Sequence, residues 1–144
     1  MTYPRQMPDA PTAPPPSNRS RPADRREVTT WEASVGDTKV FLSVSHFDNG
    51  QPCELFIDVT LADSTVKGLC NQWAILASQA LQHGLPLEDL VEKVIHTRFE
   101  PAGPVRGHPR VAMCTSVLDL VGRTLAVEYL GRDELSHKPA PDAL

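Results

Sequence analysis

Between Thr38 and Phe47 apolar and polar residues partly alternate, and Val40, Phe41, Leu42, Val44 and Phe47 are β-branched, aromatic or aliphatic types. This pattern predicts a strand with one face buried. Asp48-Asn49-Gly50 then marks a tight turn, because Asn and Gly tolerate positive φ. Glu54 to Thr60 reads as the antiparallel partner, and Glu27–Val35, turning back at Gly36-Asp37, as an earlier strand. The period then changes from two to between three and four. Val66, Leu69, Cys70, Trp73, Leu76, Ala77, Ala80 and Leu81 predict a helix over 64–83, with Ser64 at its N-cap and Gly84 as its stop. A shorter helix over 86–96 starts with Pro86, carries Glu88 and Asp89 in its first turn, and buries Leu87, Leu90, Val91 and Val94. A third helix is expected over 111–130, through Val111, Cys114, Val117, Leu118, Val121, Leu125 and Tyr129, ended by Gly131. The predicted class is α+β: a three-stranded antiparallel meander (about 27–60) covered by three helices.

Composition divides the chain. Seven of its fourteen prolines and five of its arginines fall within residues 1–26, which have almost no core-forming side chains. Such a segment cannot bury enough apolar surface to offset its ordering entropy, so 1–26 is expected to be a disordered tail. The folded domain is then 27–137, with 138–144 a flexible end. The net charge of −4 hides a tail of +3 and a remainder of −7, with nine Lys or Arg against sixteen Asp or Glu. An acidic body repels a phosphodiester backbone, which argues against nucleic-acid binding. Cys53, Cys70 and Cys114 are odd in number, widely spaced and set in apolar stretches. They read as buried thiols of a reducing compartment, not as a metal ribbon or dithiol pair. There is no signal-like or membrane-spanning apolar run, so the expected location is cytoplasmic, without a membrane partner.

The chemistry gathers in one segment. His96 to Arg110 holds Arg98, Arg106, Arg110, His96, His108, Glu100 and Phe99, shaped by three prolines and two glycines that argue against regular structure. Arginine presents a planar fork to phosphate or carboxylate, and a helix beginning near Val111 would add amide donors. Arg98, Glu100, Arg106, His108 and Arg110 are therefore the candidate anion or nucleotide site; the alternative is that Arg98 and Glu100 simply pair to hold the loop. Cys114, just after Arg110 at the expected helix start, is the candidate reactive thiol. Asp58, Asp63, Glu88 and Asp89 sit where acids support a strand, a cap and a helix first turn. His46 and His83 lack ligand spacing, so no metal site is expected. Serine-hydrolase, dinucleotide, phosphate-loop and zinc-protease signatures are missing, and no catalytic residue is assigned.

Five ordered stretches resemble one known family. They are Gly50-Gln51-Pro52-Cys53-Glu54-Leu55-Phe56-Ile57, Ser64-Thr65-Val66-Lys67-Gly68-Leu69, His83-Gly84-Leu85-Pro86-Leu87-Glu88, Thr97-Arg98-Phe99-Glu100-Pro101-Ala102-Gly103, and Tyr129-Leu130-Gly131-Arg132-Asp133-Glu134-Leu135. In order and spacing they are similar to the TSCPD domain near the C-terminus of adenosylcobalamin-dependent (class II) ribonucleotide reductases. The resemblance covers Glu27–His137. It implies an accessory module that docks on a reductase large chain or binds a nucleotide or phosphate. Adenosylcobalamin is then the cofactor of the full-length reductases and not of this chain. The cobalamin barrel and the cysteine-rich tail of those enzymes have no counterpart here, so activity of the chain alone is not expected. The name-giving Thr-Ser-Cys-Pro-Asp is reduced to Cys114-Thr115-Ser116. Other readings of the residues are a small-ligand regulatory domain or a dimerising relic, and an exposed sheet edge makes a homo-oligomer compatible with each.

Overall fold

The computed structural model describes residues 19–60 and 63–141. Most of the tail expected to be disordered, 1–18, and the last three residues of the expected flexible end, 142–144, lie outside the described residues. The elements run β1 (Val28–Val35), β2 (Thr38–His46), β3 (Pro52–Thr60), α1 (Ser64–Gln82), α2 (Leu87–Val94), β4 (Gly103–Arg106), β5 (Met113–Cys114), α3 (Val117–Tyr129) and a 3-10 turn at Asp133–Leu135. The class is α+β, and the predicted meander is present. Two short strands enlarge it to an antiparallel sheet of five, in the order β3-β2-β1-β4-β5.

Alternation decides which face of the meander is buried. Ala33, Val35, Val40, Leu42, Val44, Leu55, Ile57 and Val59 share the inner face through the pairs Ala33↔Val40, Leu42↔Ile57, Val44↔Leu55 and Val40↔Val59. The outer face carries a Thr30–Ser43 hydroxyl contact of 2.9 Å and a Lys39–Glu32 ion pair of 3.2 Å. Gly36 at φ +60° and Gly50 at φ +85° make the two hairpin turns where the pattern placed them.

Helix α3 fills the inner face. It is apolar almost all round, with Val117, Leu120, Val121, Leu125, Ala126 and Val127 buried, as a helix enclosed by its own domain must be. Leu120, Val121 and Thr124 border the same small space as Trp31, Ala33, Val40 and Leu42 of the sheet. Helix α2 packs on α3 through Leu87, Leu90, Val91 and Val94. The contact is close at Gly122, where an added Cβ would stand 3.0 Å from Cγ2 of Val94 and 3.5 Å from the Ile95 nitrogen.

Helix α1 lies along β3, the edge strand, and satisfies its outward backbone. Ser78 Oγ accepts from Leu55 N (2.8 Å) and is within 3.2 Å of Leu55 O, and Gln82 Nε2 donates to Cys53 O (2.9 Å). Small residues on this face, Cys70, Ala74 and Ala77, permit that approach. An edge strand otherwise offers a row of free amides to another chain. Gln82 also ties down the region before β1. Arg19 Nε donates to Gln82 Oε1 (2.6 Å), Ser20 N to Gln82 O (2.8 Å), and Arg26 pairs with Glu54 (2.6 Å). Arg19, Ser20 and Arg26, which composition assigns to the tail, therefore contact the domain.

Four local expectations are corrected. The third helix starts at Val117, not Val111: the Ser116 side chain caps it by accepting from Asp119 N, and Met113-Cys114 pairs with Gly103-Pro104 as strand. The Pro/Gly-rich loop does contain regular structure, because Val105 and Arg106 add to β1. Asp63, not Ser64, caps α1, its carboxylate accepting from Thr65 N at 2.7 Å. Leu69 and Leu76, counted with the buried stripe of α1, are each 66% exposed. Helix α2 ends at Val94 because Ile95 leaves helical geometry and His96 turns at φ +64°.

The Gly122 contact yields a test. Gly122→Val should lower stability by about 1–3 kcal/mol in urea denaturation, since Val94 and the Ile95 backbone must shift. An unchanged midpoint would mean that the α2–α3 contact is loose.

Candidate functional site

The loop from His96 to Arg110 is held from both ends by buried polar groups. At its start stands Asp119, in the first turn of α3 and fully buried. Its Oδ1 accepts from His96 N (2.7 Å), and its Oδ2 accepts from Thr115 N (3.0 Å) and Arg123 Nε (3.1 Å). Burial alone would raise the Asp119 pKa; the hydrogen bonds from Thr115, His96 and Arg123 outweigh it and leave the carboxyl below its ordinary value. Arg123 reaches on to Leu135 O at 3.0 Å. Thr97 and Thr115 then zip the loop to the strand before α3. Thr115 Oγ1 donates to Thr97 O (2.7 Å), Phe99 N donates to Thr115 O (3.1 Å), and the Thr97 and Ser116 hydroxyls meet at 2.8 Å.

At the far end His108 enters the core, 2% exposed. Its Nδ1 accepts from Arg110 N and Val111 N, both at 3.0 Å, which fixes the neutral tautomer with the proton on Nε2, donated to Thr124 Oγ1 at 2.9 Å. A proton on Nδ1 would face two backbone N–H groups. Burial, with Lys138 and Arg110 adding to it, pushes this imidazole down to about 4. Arg110 is also spent internally. It donates to Lys138 O (3.0 Å) and pairs with Asp133 (3.0 Å), while its carbonyl accepts from His137 N and Lys138 N. Lys138 Nζ returns to His108 O at 2.8 Å, so the segment after α3 is wrapped around this end of the loop.

The five predicted site residues therefore separate. His108 and Arg110 are buried with their polar atoms engaged, and the expected helix N-terminus beside them is displaced to Val117. Arg98, Glu100 and Arg106 are exposed. Arg106 donates to Gly36 O (2.8 Å) across the β1–β2 turn. Among the described residues Arg98 forms no ion pair, so the Arg98–Glu100 pairing is not seen. A cleft of about 620 Å³ lies between the turn at Phe47–Gln51 and the turn at Gly84–Leu87, and another of about 320 Å³ is lined by Trp31, His46 and Tyr129; neither takes in a residue of this loop. Cys114 is 2% exposed, and burial first, then Asp119, raises its thiol to about 11. That reverses the expectation of a reactive thiolate, because the following helix start lies three residues further on and the neighbouring charge is a carboxylate.

Sequence reasoning passed over Asp119 and Arg123, although their signals were local. Ser116-Val117-Leu118-Asp119 before an apolar run is a capping-box spacing, and Asp119 with Arg123 is an i,i+4 pair. The Tyr129 hydroxyl, 2.6 Å from His46 Nε2, had no such signal. Among the described residues no buried side-chain nitrogen or oxygen lacks a hydrogen-bond partner, and no group of three or more His, Cys, Asp or Glu is placed to hold a metal ion. No helix among them is long and apolar enough to cross a membrane.

The fold and the loop define a small α+β domain that directs its buried polar chemistry to holding one Arg-bearing loop against a sheet. The chain belongs to the TSCPD domain family, whose model matches residues 8–129. It is similar to the vitamin B12-dependent ribonucleotide reductase of Bradyrhizobium diazoefficiens, 42% identical over 119 residues that make up 83% of this chain and 10% of that protein. The reductase of the same name from Agrobacterium fabrum is 42% identical over 86% of this chain and 10% of its own length. That of Rhodopirellula baltica is 32% identical over 82% and 11%. The chain thus spans about a tenth of the length of these relatives. No solved structure matches it.

The buried imidazole makes stability depend on pH. Folded His108 titrates below its ordinary 6.5, so its contribution is fully present above pH 6.5 and is lost as pH falls toward 4. A displacement of that size corresponds to about 3 kcal/mol, and protonation of Asp119 adds a further loss below about pH 3.9. Denaturation midpoints measured from pH 7.5 to 4 should fall, and His108→Gln should flatten that decline. An equally steep decline in the variant would place the proton elsewhere.

Proposed function

We propose that this chain is a non-catalytic accessory module of a vitamin B12-dependent ribonucleotide reductase system, acting by docking on a reductase large chain through the face that presents Arg98, Glu100 and Arg106. The observation that carries the reading is the match of nearly the whole domain to one tenth of proteins bearing that reductase name. The geometry adds direction. His108, Arg110, Asp119 and Arg123 hold the loop while Arg98 and Arg106 stay exposed, Arg106 steadied by its hydrogen bond to Gly36 O, an arrangement suited to an anionic surface or a nucleotide phosphate. The resemblance gives adenosylcobalamin to the full-length reductases, and the proposal assigns none to this chain. The setting is cytoplasmic, where those reductions would take place.

Two measurements address the reading. The Bradyrhizobium diazoefficiens reductase lacking its matching segment should gain ribonucleotide-reducing turnover, with adenosylcobalamin and a dithiol, when this chain is added; the chain alone should give none. Turnover by the chain alone, or no response of the truncated reductase, would contradict the proposal. Isothermal titration with ATP, dATP and inorganic phosphate addresses the phosphate side. Arg98→Ala with Arg106→Ala should weaken any such binding at least tenfold, a charged hydrogen bond being worth about 1.5–3 kcal/mol. A folded double variant with unchanged affinity would remove both arginines from the site.

A further inference from the structure

Helix α3 ends at Tyr129, and the cleft of about 320 Å³ opens between that end and the start of β1. Thr29 and Trp31 line it from β1, continuing the alternation that buries Ala33 and Val35. His46 comes from the end of β2 and Tyr129 from α3, and all three rings are half-buried. The Trp31 and Tyr129 planes stand at 77° with centroids 6.3 Å apart, and His46 lies 5.5 Å from Tyr129 at 45°. Hydrogen bonds lock this corner. His46 Nδ1 is 3.2 Å from Glu27 O, a carbonyl that can only accept, so the ring proton sits on Nδ1. Nε2 then accepts from the Tyr129 hydroxyl at 2.6 Å. Burial, with Glu128 adding to it, raises that phenol to about 12, so near neutrality Tyr129 meets the cleft uncharged and with its proton already committed.

The charge around the corner has one sign. Glu27 and Glu128 line the cleft, both exposed, and among the described residues neither forms an ion pair. No Lys or Arg lines it. Arg25 and Arg26 line a neighbouring hollow that shares Glu27, His46 and Gly50, and Arg26 is paired with Glu54 at 2.6 Å. Glu128 stands in the last turn of α3, which carries no basic residue. A helix C-terminus is the negative end of its dipole, so an acid there works against the helix. The helix end, Glu27 and Glu128 thus act in one direction, and each favours a cation in the cleft.

We infer that this cleft is a binding site for a guanidinium group, carried by arginine as a free solute or as the side chain of a peptide. A guanidinium is planar and weakly hydrated, stacks on aromatic rings and offers forked donors to carboxylates. Trp31 and Tyr129 supply the rings, and Glu27 and Glu128 the acceptors. A calcium-like ion takes about six to eight oxygen ligands, more than two carboxylates provide. The site is separate from the face that presents Arg98 and Arg106, because no residue of that loop lines the cleft. It therefore stands whether or not the chain docks on a reductase.

In proton–nitrogen correlation NMR spectra of the full chain, N-acetylarginine amide should shift the Trp31 indole resonance and saturate with a Kd of about 1 mM. N-acetylcitrulline amide has nearly the same shape without the charge and should bind about tenfold more weakly or less. Glu27→Gln with Glu128→Gln should weaken arginine binding about tenfold. Both side chains are exposed, so circular dichroism and the thermal midpoint should stay near wild type, separating lost binding from lost folding. A short peptide with a central arginine that binds about fivefold tighter than the capped residue supports the site with a protein segment as its source. Equal affinity supports it with a free guanidine as the source. A Trp31 indole that does not move at about 20 mM capped arginine overturns the inference. So does a capped citrulline or capped lysine that binds as tightly as arginine, or a folded double variant that keeps wild-type affinity.

Discussion

A buried carboxylate is costly unless its charge is answered within hydrogen-bond distance, and Asp119 is answered by three separate parts of the chain. His96 N comes from the end of α2, Thr115 N from the strand before α3, and Arg123 from one turn along α3. None of these donors could be withdrawn without leaving charge uncompensated in the core. The one side chain therefore fixes where α2 stops, where α3 starts and how the intervening loop leaves and returns. His108 does the corresponding work at the other end of the loop with a neutral ring, joining Val111, Thr124 and, through its carbonyl, Lys138. Between these anchors β4 and β5 are drawn into the sheet, although neither is long enough to form alone.

The sheet itself is one-sided, and its two ends are treated differently. At the β3 edge, α1 supplies Ser78 and Gln82 to the outward backbone, which closes the strand to a further neighbour. Covering an edge with a helix leaves that helix half in water. The solvent side of α1 mixes Leu69, Ile75 and Leu76 with Asn71, Gln72 and Gln79, and beyond Lys67, which pairs with Asp58, it carries no charge up to Gln82.

The chemistry expected of the segment from His96 to Arg110 divided along the boundary between buried and exposed positions. Its two most buried cationic or titratable members, His108 and Arg110, hold the fold, while Arg98 and Arg106 stay exposed, Arg106 with a hydrogen bond to Gly36 O. A cluster of chemically able residues in sequence is thus not a site until burial shows which of them face solvent. The Cys114 thiol makes the same point: an arginine four residues earlier suggested activation, whereas burial and the proximity of Asp119 raise its pKa.

Much of the architecture was legible without coordinates. Alternation and turn residues were enough for β1 to β3, because the side-chain period of a strand is set by backbone geometry alone and Gly36 and Gly50 stand where positive φ is needed. Gly84 and Gly131 ended helices for the same reason. The five family stretches also stood in the sequence with their order and spacing. What could not be read was whatever depends on partners distant in the chain. Val111 to Ser116 is apolar enough to extend a helix, and Met113-Cys114 within it becomes strand only because Gly103 and Pro104 lie beside it. Leu69 and Leu76 fit the helical period, but periodicity does not say how far round the helix burial extends; the packing of Cys70, Ala74 and Ala77 against β3 leaves both leucines at the exposed rim. The roles of His108 and Arg110 depend on Thr124, Asp133 and Lys138, brought close when α3 packs on the sheet. Local propensity and pattern are properties of a few neighbouring residues and so belong to the sequence. Burial, charge compensation and accessibility are properties of what surrounds a residue in space, and tertiary structure alone assigned them.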